Sequence, residues 1–371
     1  MKNAVRITEK GVNCFFGYYD KYATDKNDKI HLFHQVDFFN HPPVEKDKAK
    51  IGICEIETGK VEIVGETYAW NFQQGSMLQF LDDERIIYNY REKEFIAKIY
   101  NLRNGKVKFL PKAVSALSPD GKYAAGINFS RLAKWRPGYG YEGLKDRFED
   151  EKWPEKDGIY IIDVEGKKAE LKIPLSLMLD FRKEKGVEES YGWFNHTLFS
   201  PSSKRFIFLN RWKKNKEDSY KTRLFTSDIE GKKIYDLIDT YRISHFAWKN
   251  EKEIIVWAEI DGERGFWIVE DKTGKIRKVS DKIQKIDGHC SYSKDEKIIL
   301  YDTDPIDNYR YLKLFYTESE EEKILGKFYS PPEITEEIRC DLHPRWSRNE
   351  KFISFDSLHE GFRGIYLYYI D

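Results

Sequence analysis

Four histidines recur at one phase of a repeated pattern. The segments FNHTLFSPSSKRFIFLNR from 194, ISHFAWKNEKEIIVWAE from 243, DGHCSYSKDEKIILYDTD from 287 and DLHPRWSRNEKFISFDS from 341 share a frame: histidine, two residues, an aromatic, a polar turn, an alternating apolar run. Imidazole titrates near neutral pH and is the commonest nitrogen ligand for transition metals. His196, His245, His289 and His343 therefore suit a general base, a metal site, or both. Asp341, two residues before His343 in a period-two strand, faces the same side and would complete a ligand shell for Mn²⁺ or Zn²⁺. Taken singly, each histidine equally suits a hydrogen bond between neighbouring repeats. Four in phase, with none in the earlier repeats, favour a shared site.

A second set accompanies them. Arg91, Arg131, Arg211, Arg264, Arg310 and Arg363 fall in loops between corresponding strands, with Trp135, Tyr139, Tyr141 and Trp212 close by in sequence. Guanidinium groups bind carboxylates in a bidentate way, and aromatic faces stack on sugar rings and cations. An acidic oligosaccharide is the ligand class that uses both. Pairing with neighbouring acids such as Glu92, Glu263 or Glu360 is the structural alternative for each arginine. Tyr18, Tyr19, Asp20 and Lys21, with Gln73 and Gln74, stand at or near the histidine phase in earlier repeats and would face the same opening.

The elements that position these residues follow from the repeat. The aromatics Phe199, Trp248, Tyr292 and Trp346 are about 44 to 54 residues apart, a propeller-blade period with loop insertions. Segments from 19, 75 and 114 fit the frame without the histidine, giving seven units. A second strand pair follows in six of them, as in IGICEIETGKVEIV and AKIYNLRNGKVKFL, with GK or EGK tips that read as hairpin turns. The expected fold is an all-β, seven-bladed propeller of four-stranded antiparallel blades in a single domain spanning 1–371. The seventh unit holds three strand segments, so AVRITEK near the start is expected to supply its fourth and close the ring. Inserts at about 132 to 156 and 176 to 191 interrupt the period, and the second is expected to form a short helix. In a propeller the first strand of each blade lines the central channel, so the four histidines should meet at one sector of its rim.

Composition bounds the partners. Aromatic residues make 15% of the chain, which fits β architecture. With 63 basic and 63 acidic residues there is no overall field to attract nucleic acid or an anionic membrane. Four scattered cysteines without a CxxC pair argue against a disulfide framework or a cysteine zinc site. The charged start MKNAVRITEK and the lack of a long apolar run lead to a cytoplasmic expectation. No GxSxG elbow, P-loop or Rossmann fingerprint occurs, against serine hydrolase, NTPase and dehydrogenase readings.

The repeat phase and the motifs NHTLFSPSSKR, SHFAW, DGHCSYSKDE and DLHPRWS resemble the oligogalacturonate lyase type of seven-bladed propeller, related in blade sequence to TolB-like propellers. The resemblance implies a cytoplasmic lyase that cleaves short uronate oligosaccharides by β-elimination. It implies a histidine base and a divalent ion, typically Mn²⁺, held mainly by histidines and a glutamine. By position, His196 resembles the base, His245 a metal ligand and His343 the last ligand of the metal motif. The chain departs from the family at Asp341, where the family has histidine, and at Ile338, where it has glutamine. The family's catalytic arginine has no counterpart by spacing, and Arg211 or Arg363 is the expected substitute. The expectation is therefore a metal-dependent lyase acting on a uronate-containing glycan. The base would be His196, assisted by Arg211. The metal would lie on His245, His289, His343 and Asp341, and the substrate on Arg91, Arg131, Arg310, Arg363, Tyr19, Gln74 and Trp212. A noncatalytic propeller binding an acidic glycan or a protein on the same face is the alternative.

Overall fold

The structure, a computed structural model, describes residues 4–181 and 184–370. Every strand among them belongs to one of seven four-stranded antiparallel sheets. Blades two to six run in simple sequence order, from Gln79–Phe80 to Val107–Leu110 in blade two through to Cys290–Tyr292 to Glu321–Tyr329 in blade six. Blade seven is Arg345–Trp346, Phe352–Ser357 and Gly364–Tyr369, completed by Ala4–Arg6. Ala4 pairs with Tyr368 and Arg6 with Tyr366. This pairing ties the two ends of the ring and covers the open edge of Gly364–Tyr369.

The repeated motif has a local cause. After the channel strand of blades three, six and seven a serine hydroxyl accepts an amide at the start of the returning strand: Ser118 from Tyr123 at 2.9 Å, Ser293 from Ile298 at 3.0 Å and Ser347 from Lys351 at 3.0 Å. Such side-chain bonds replace a backbone ladder within a tight turn. The GK tips also form as expected, with Gly59 and Gly105 at φ of 69° and 68°, a region glycine enters at little cost.

Burial is graded outward. The second strand of blade four, Arg205–Lys213, is buried along all but its ends, whereas the outer strand Glu321–Tyr329 is mostly exposed. Each fully buried leucine, isoleucine or phenylalanine contributes about 1.5–3 kcal/mol. The rigidity of the channel wall thus rests on the inner strands and the faces packed between blades. No helix among the described residues is long and apolar enough to cross a membrane. The four cysteines are buried and unpaired.

Two features differ from the sequence reading. The second insert forms short 3-10 helices at Leu175–Phe181 and Val187–Glu189, as expected, but an α-helix absent from that reading, Phe129–Trp135, lies at the start of the first insert, with the Asn128 side chain accepting from the Arg131 amide as its N-cap. The larger difference is in blade one. Its channel strand is Asn13–Phe15, not the segment from Tyr19, and pairing resumes only at a bridge between Thr24 and His31. Residues 16–22 loop out between these two points.

Candidate active site

The looped-out segment reaches across the channel. The Phe16 and Gly17 amides donate to Asp356 of blade seven, and Arg345 donates to both Asp356 and the Gly17 carbonyl. On the far side the Tyr19 hydroxyl donates to the Phe246 carbonyl of blade five at 2.7 Å and accepts from its amide at 3.0 Å. Gly17 has φ of 119°, and a Cβ there would press on the Gln74 backbone at 2.9 Å, so only glycine lets the segment pass. Tyr18 and Tyr19 are thereby set among the histidines. The Tyr18 ring lies 4.8 Å from His196, 5.8 Å from His289 and 5.1 Å from His343, and Tyr19 touches His196, His245 and His289.

All four histidines meet, as the repeat phase predicts. His245 and His289 have ring centres 3.9 Å apart, and His289 and His343 4.2 Å. Bulges re-aim two of them: the ladder slips between Asn195 and Thr197, around His196, and between Ile243 and Phe246, around His245. His196 and His343 also adopt left-handed φ of 47° and 44°. Histidine holds this conformation at a cost, a feature that clusters at functional sites.

His289, His343 and Asp341 offer ligand atoms that all lie within 4.8 Å of one another. His289 Nδ1 donates to Asp302 at 3.0 Å, the carboxylate-histidine arrangement that orients metal ligands, and Asp302 also accepts the His289 and His343 amides. Nε2 of both histidines is buried without a hydrogen-bond partner among the described residues. Two orphaned imidazole nitrogens beside a carboxylate fit a divalent ion of the Mn²⁺ or Zn²⁺ kind. Asp341 carries further partners: Arg310 lies 2.6 Å from one oxygen and Arg339 2.8 Å from the other. Burial raises the Asp341 carboxyl, but the two guanidiniums outweigh it and hold the group well below the usual range. Ile338 is half-buried and offers no donor.

The two remaining histidines differ in environment. His196 Nε2 bonds to Asp20 at 3.0 Å, its ring stacks on Phe246 at 4.2 Å, and its side chain is 2% exposed. Burial holds its pKa at about 4. Asp20, despite burial, is held at about 2 by Lys21 and His196. His245 is the more open, with its side chain 15% exposed. Its Nδ1 donates to Asp287 at 3.0 Å, which leaves Nε2 as the lone-pair nitrogen. Of the remaining histidines, His34 joins blade one to Ser76 at 2.8 Å, His31 is buried on the Leu32 carbonyl and His359 packs on Phe328 and Tyr366.

The arginines divide sharply. Arg131 is buried, held by Asp146 and by the carbonyls of Phe148, Gly192, Glu151 and Lys152, so it braces the first insert. Arg363 is buried over Phe72 and donates to the Ile338 and Arg339 carbonyls. Arg310 is committed to Asp341, and Arg91 stacks on Tyr68 at 4.7 Å. These four were expected on substrate; Arg131, Arg310 and Arg363 are instead engaged mainly with protein groups, and Arg91 lies against Tyr68. Trp212 packs on Tyr241, Tyr19 anchors the looped-out segment, and the buried Gln74 amide nitrogen has no partner among the described residues.

Arg211 is different. It is buried, donates to Thr222 Oγ1 and has no carboxylate within ion-pair distance among the described residues. Arg136, which the sequence reading passed over, is likewise without one and shares the Tyr220 ring with Arg211, at 5.0 and 4.7 Å. Arg211 and Arg339 both act electrostatically on Tyr18, which packs on the histidines. A buried guanidinium without an anion is costly, and a bound carboxylate would relieve that cost.

No protein-family model matches the chain, and no curated protein matches it. Solved structures do. An oligogalacturonate lyase in complex with manganese is 13% identical, with a TM-score of 0.72 over 99% of this chain and 93% of its own. The oligogalacturonate lyase of Vibrio parahaemolyticus is also 13% identical, with a TM-score of 0.68 over the same shares. At that identity the likeness is one of fold, a seven-bladed propeller of the same overall arrangement. A TolB from Acinetobacter baumannii aligns with a TM-score of 0.44.

Proposed function

We propose that the protein is a metal-dependent lyase that cleaves a uronate-containing oligosaccharide by β-elimination. The observation that carries this reading is the pair Arg136 and Arg211, cations without carboxylate partners among the described residues, in the same rim cluster as a His–Asp dyad and a His₂Asp ligand set. A uronate supplies the missing anion, and the proton on the carbon next to its carboxylate is the one an imidazole can remove. Oligogalacturonate lyase, whose fold this chain shares, is known in complex with manganese, which supports the same chemistry here.

The roles differ from those read in the sequence. His245, not His196, is the proposed base: Asp287 holds its Nδ1 proton and leaves Nε2 free, while the corresponding nitrogen of His196 is occupied by Asp20. Burial and the neighbouring His289 lower the His245 pKa, so the ring is neutral and able to accept a proton. His289, His343 and Asp341 would hold the metal, with Asp302 orienting His289 and with Arg310 and Arg339 fixing Asp341. When bound there, a divalent cation supplies positive charge to the carboxylate as its α-carbon loses a proton. Arg136 and Arg211 bind and orient that carboxylate, and Tyr18 and Tyr19 fill the channel behind it and exclude water.

The ligand set is tested by thermal denaturation with added Mn²⁺. A ligand at 100 times its Kd stabilises by about 2.7 kcal/mol, so the melting temperature is expected to rise, and His343→Gln is expected to lose that rise. An equal rise in both proteins would place the metal elsewhere. No rise in either would favour a propeller that binds its glycan without a metal.

A further inference from the structure

β-Elimination moves two protons. One leaves the carbon beside the carboxylate, and another must reach the departing sugar oxygen, which is a poor leaving group as an alkoxide. His245 accounts for the first. Four tyrosines stand in or around the site, and three are unsuited to the second task. Tyr18 is fully buried, which pushes its phenol well up. The Tyr19 hydroxyl is bonded to the Phe246 backbone, and that of Tyr139 is held by Arg339 at 2.6 Å.

Tyr220 is the fourth. It is half-buried, and its hydroxyl makes no hydrogen bond among the described residues. Its ring is clamped by Arg211 at 4.7 Å and Arg136 at 5.0 Å, with Trp193 against it at 6.1 Å. Such a clamp fixes the direction of the hydroxyl. Arg211, with Arg136 and Arg339, lowers the phenol below its ordinary value, although burial and Asp287 oppose them. Asp287 is also the partner of His245, so the phenol lies within electrostatic reach of the dyad.

We infer that Tyr220 donates the proton to the departing sugar oxygen, opposite in role to His245. The inference rests on the elimination reading of this site. His245 Nε2 takes the proton from C5, the released pair forms the C4–C5 double bond, and the C4–O bond breaks as the Tyr220 proton passes to that oxygen. The phenolate left behind is held by Arg211 and Arg136 until water returns its proton, and His245 gives its own proton to water. No oxidant or reductant is needed.

The test is Tyr220→Phe with two substrates: an oligogalacturonate, whose leaving group is a sugar hydroxyl, and a 4-O-(4-nitrophenyl) hexuronate, whose nitrophenolate leaves without a proton. The ring stays between its arginines, and an unchanged melting temperature checks that the variant is folded. The oligogalacturonate rate is expected to fall roughly 10²–10⁴-fold, while the aryl substrate keeps close to its wild-type rate. Equal loss on both substrates, or loss on neither, would overturn the assignment and leave the lyase reading standing. Wild-type protein inactive on both would instead remove the lyase reading itself, and the inference with it.

Discussion

His245→Ala is expected to lower kcat/KM on a competent uronate substrate by roughly 10²–10⁴-fold, the range that a positioned general base supplies. The fold should survive, because this imidazole is partly exposed and, among the described residues, bonds only to Ser244 and Asp287. Added imidazole should restore part of the rate, since the cavity it leaves is open to solvent. Asp287→Asn is the matching control: it keeps the shape but lets the other tautomer form, presenting an N–H where the base nitrogen should be. His196→Ala should behave otherwise. It removes a ring packed on Phe246 and a bond to Asp20, so its first effect is lost stability. If His196→Ala abolished turnover in a folded protein while His245→Ala left it intact, the roles assigned to the two histidines would be reversed.

Asp356→Ala is expected to destabilise the protein by about 3–5 kcal/mol, the cost of stranding one member of a buried ion pair. The carboxylate accepts from Arg345 at 3.0 Å and from the amides of Phe16 and Gly17, and its loss leaves all three without that acceptor. Arg345 is 2% exposed, so water cannot easily replace it. The double variant Arg345→Met, Asp356→Leu should cost less than Asp356→Ala alone, because no buried charge is left over. Chemical denaturation measures both. The two sites also connect, since Asp356 and Arg345 anchor the segment that carries Tyr18 and Tyr19. Asp356→Ala should therefore weaken activity even where the protein remains folded. Additive, small effects from the two substitutions would show that the segment is held elsewhere.

Much of this architecture was legible because repetition multiplies a weak signal. The aromatic and serine that several turns share have a local physical task, so Phe199, Tyr292 and Trp346 mark their strands despite little overall similarity between blades. The histidine phase predicted convergence, and the rings do meet. The N-terminal strand closes blade seven as its missing fourth segment required. The helix at Phe129–Trp135 carries signals of its own, with Asn128 before it and Pro137–Gly138 after it as start and stop.

What the sequence could not convey is which donors are already occupied. Arg131 and Arg211 look alike in a loop-by-loop reading, yet one is held by five protein partners and the other has no anion among the described residues. Arg339, Asp287 and Asp302 were overlooked because their role depends on pairing across blades, although Arg339 and Asp287 stand two residues before Asp341 and His289 and so share their strand faces. Blade one was misread for a similar reason. YDKYATDK fits the repeat frame, but the Gly17 turn and the Asp356 anchor lead the chain out of the sheet and across the channel.

The most direct test of the account is to incubate the purified protein with Mn²⁺ and oligogalacturonate and follow the ultraviolet absorbance of a C4–C5 unsaturated uronate. The account predicts that this absorbance grows with time, is abolished by a chelator and restored by Mn²⁺, and is lost in His245→Ala. Product without the double bond, or turnover unchanged in His245→Ala, would contradict it.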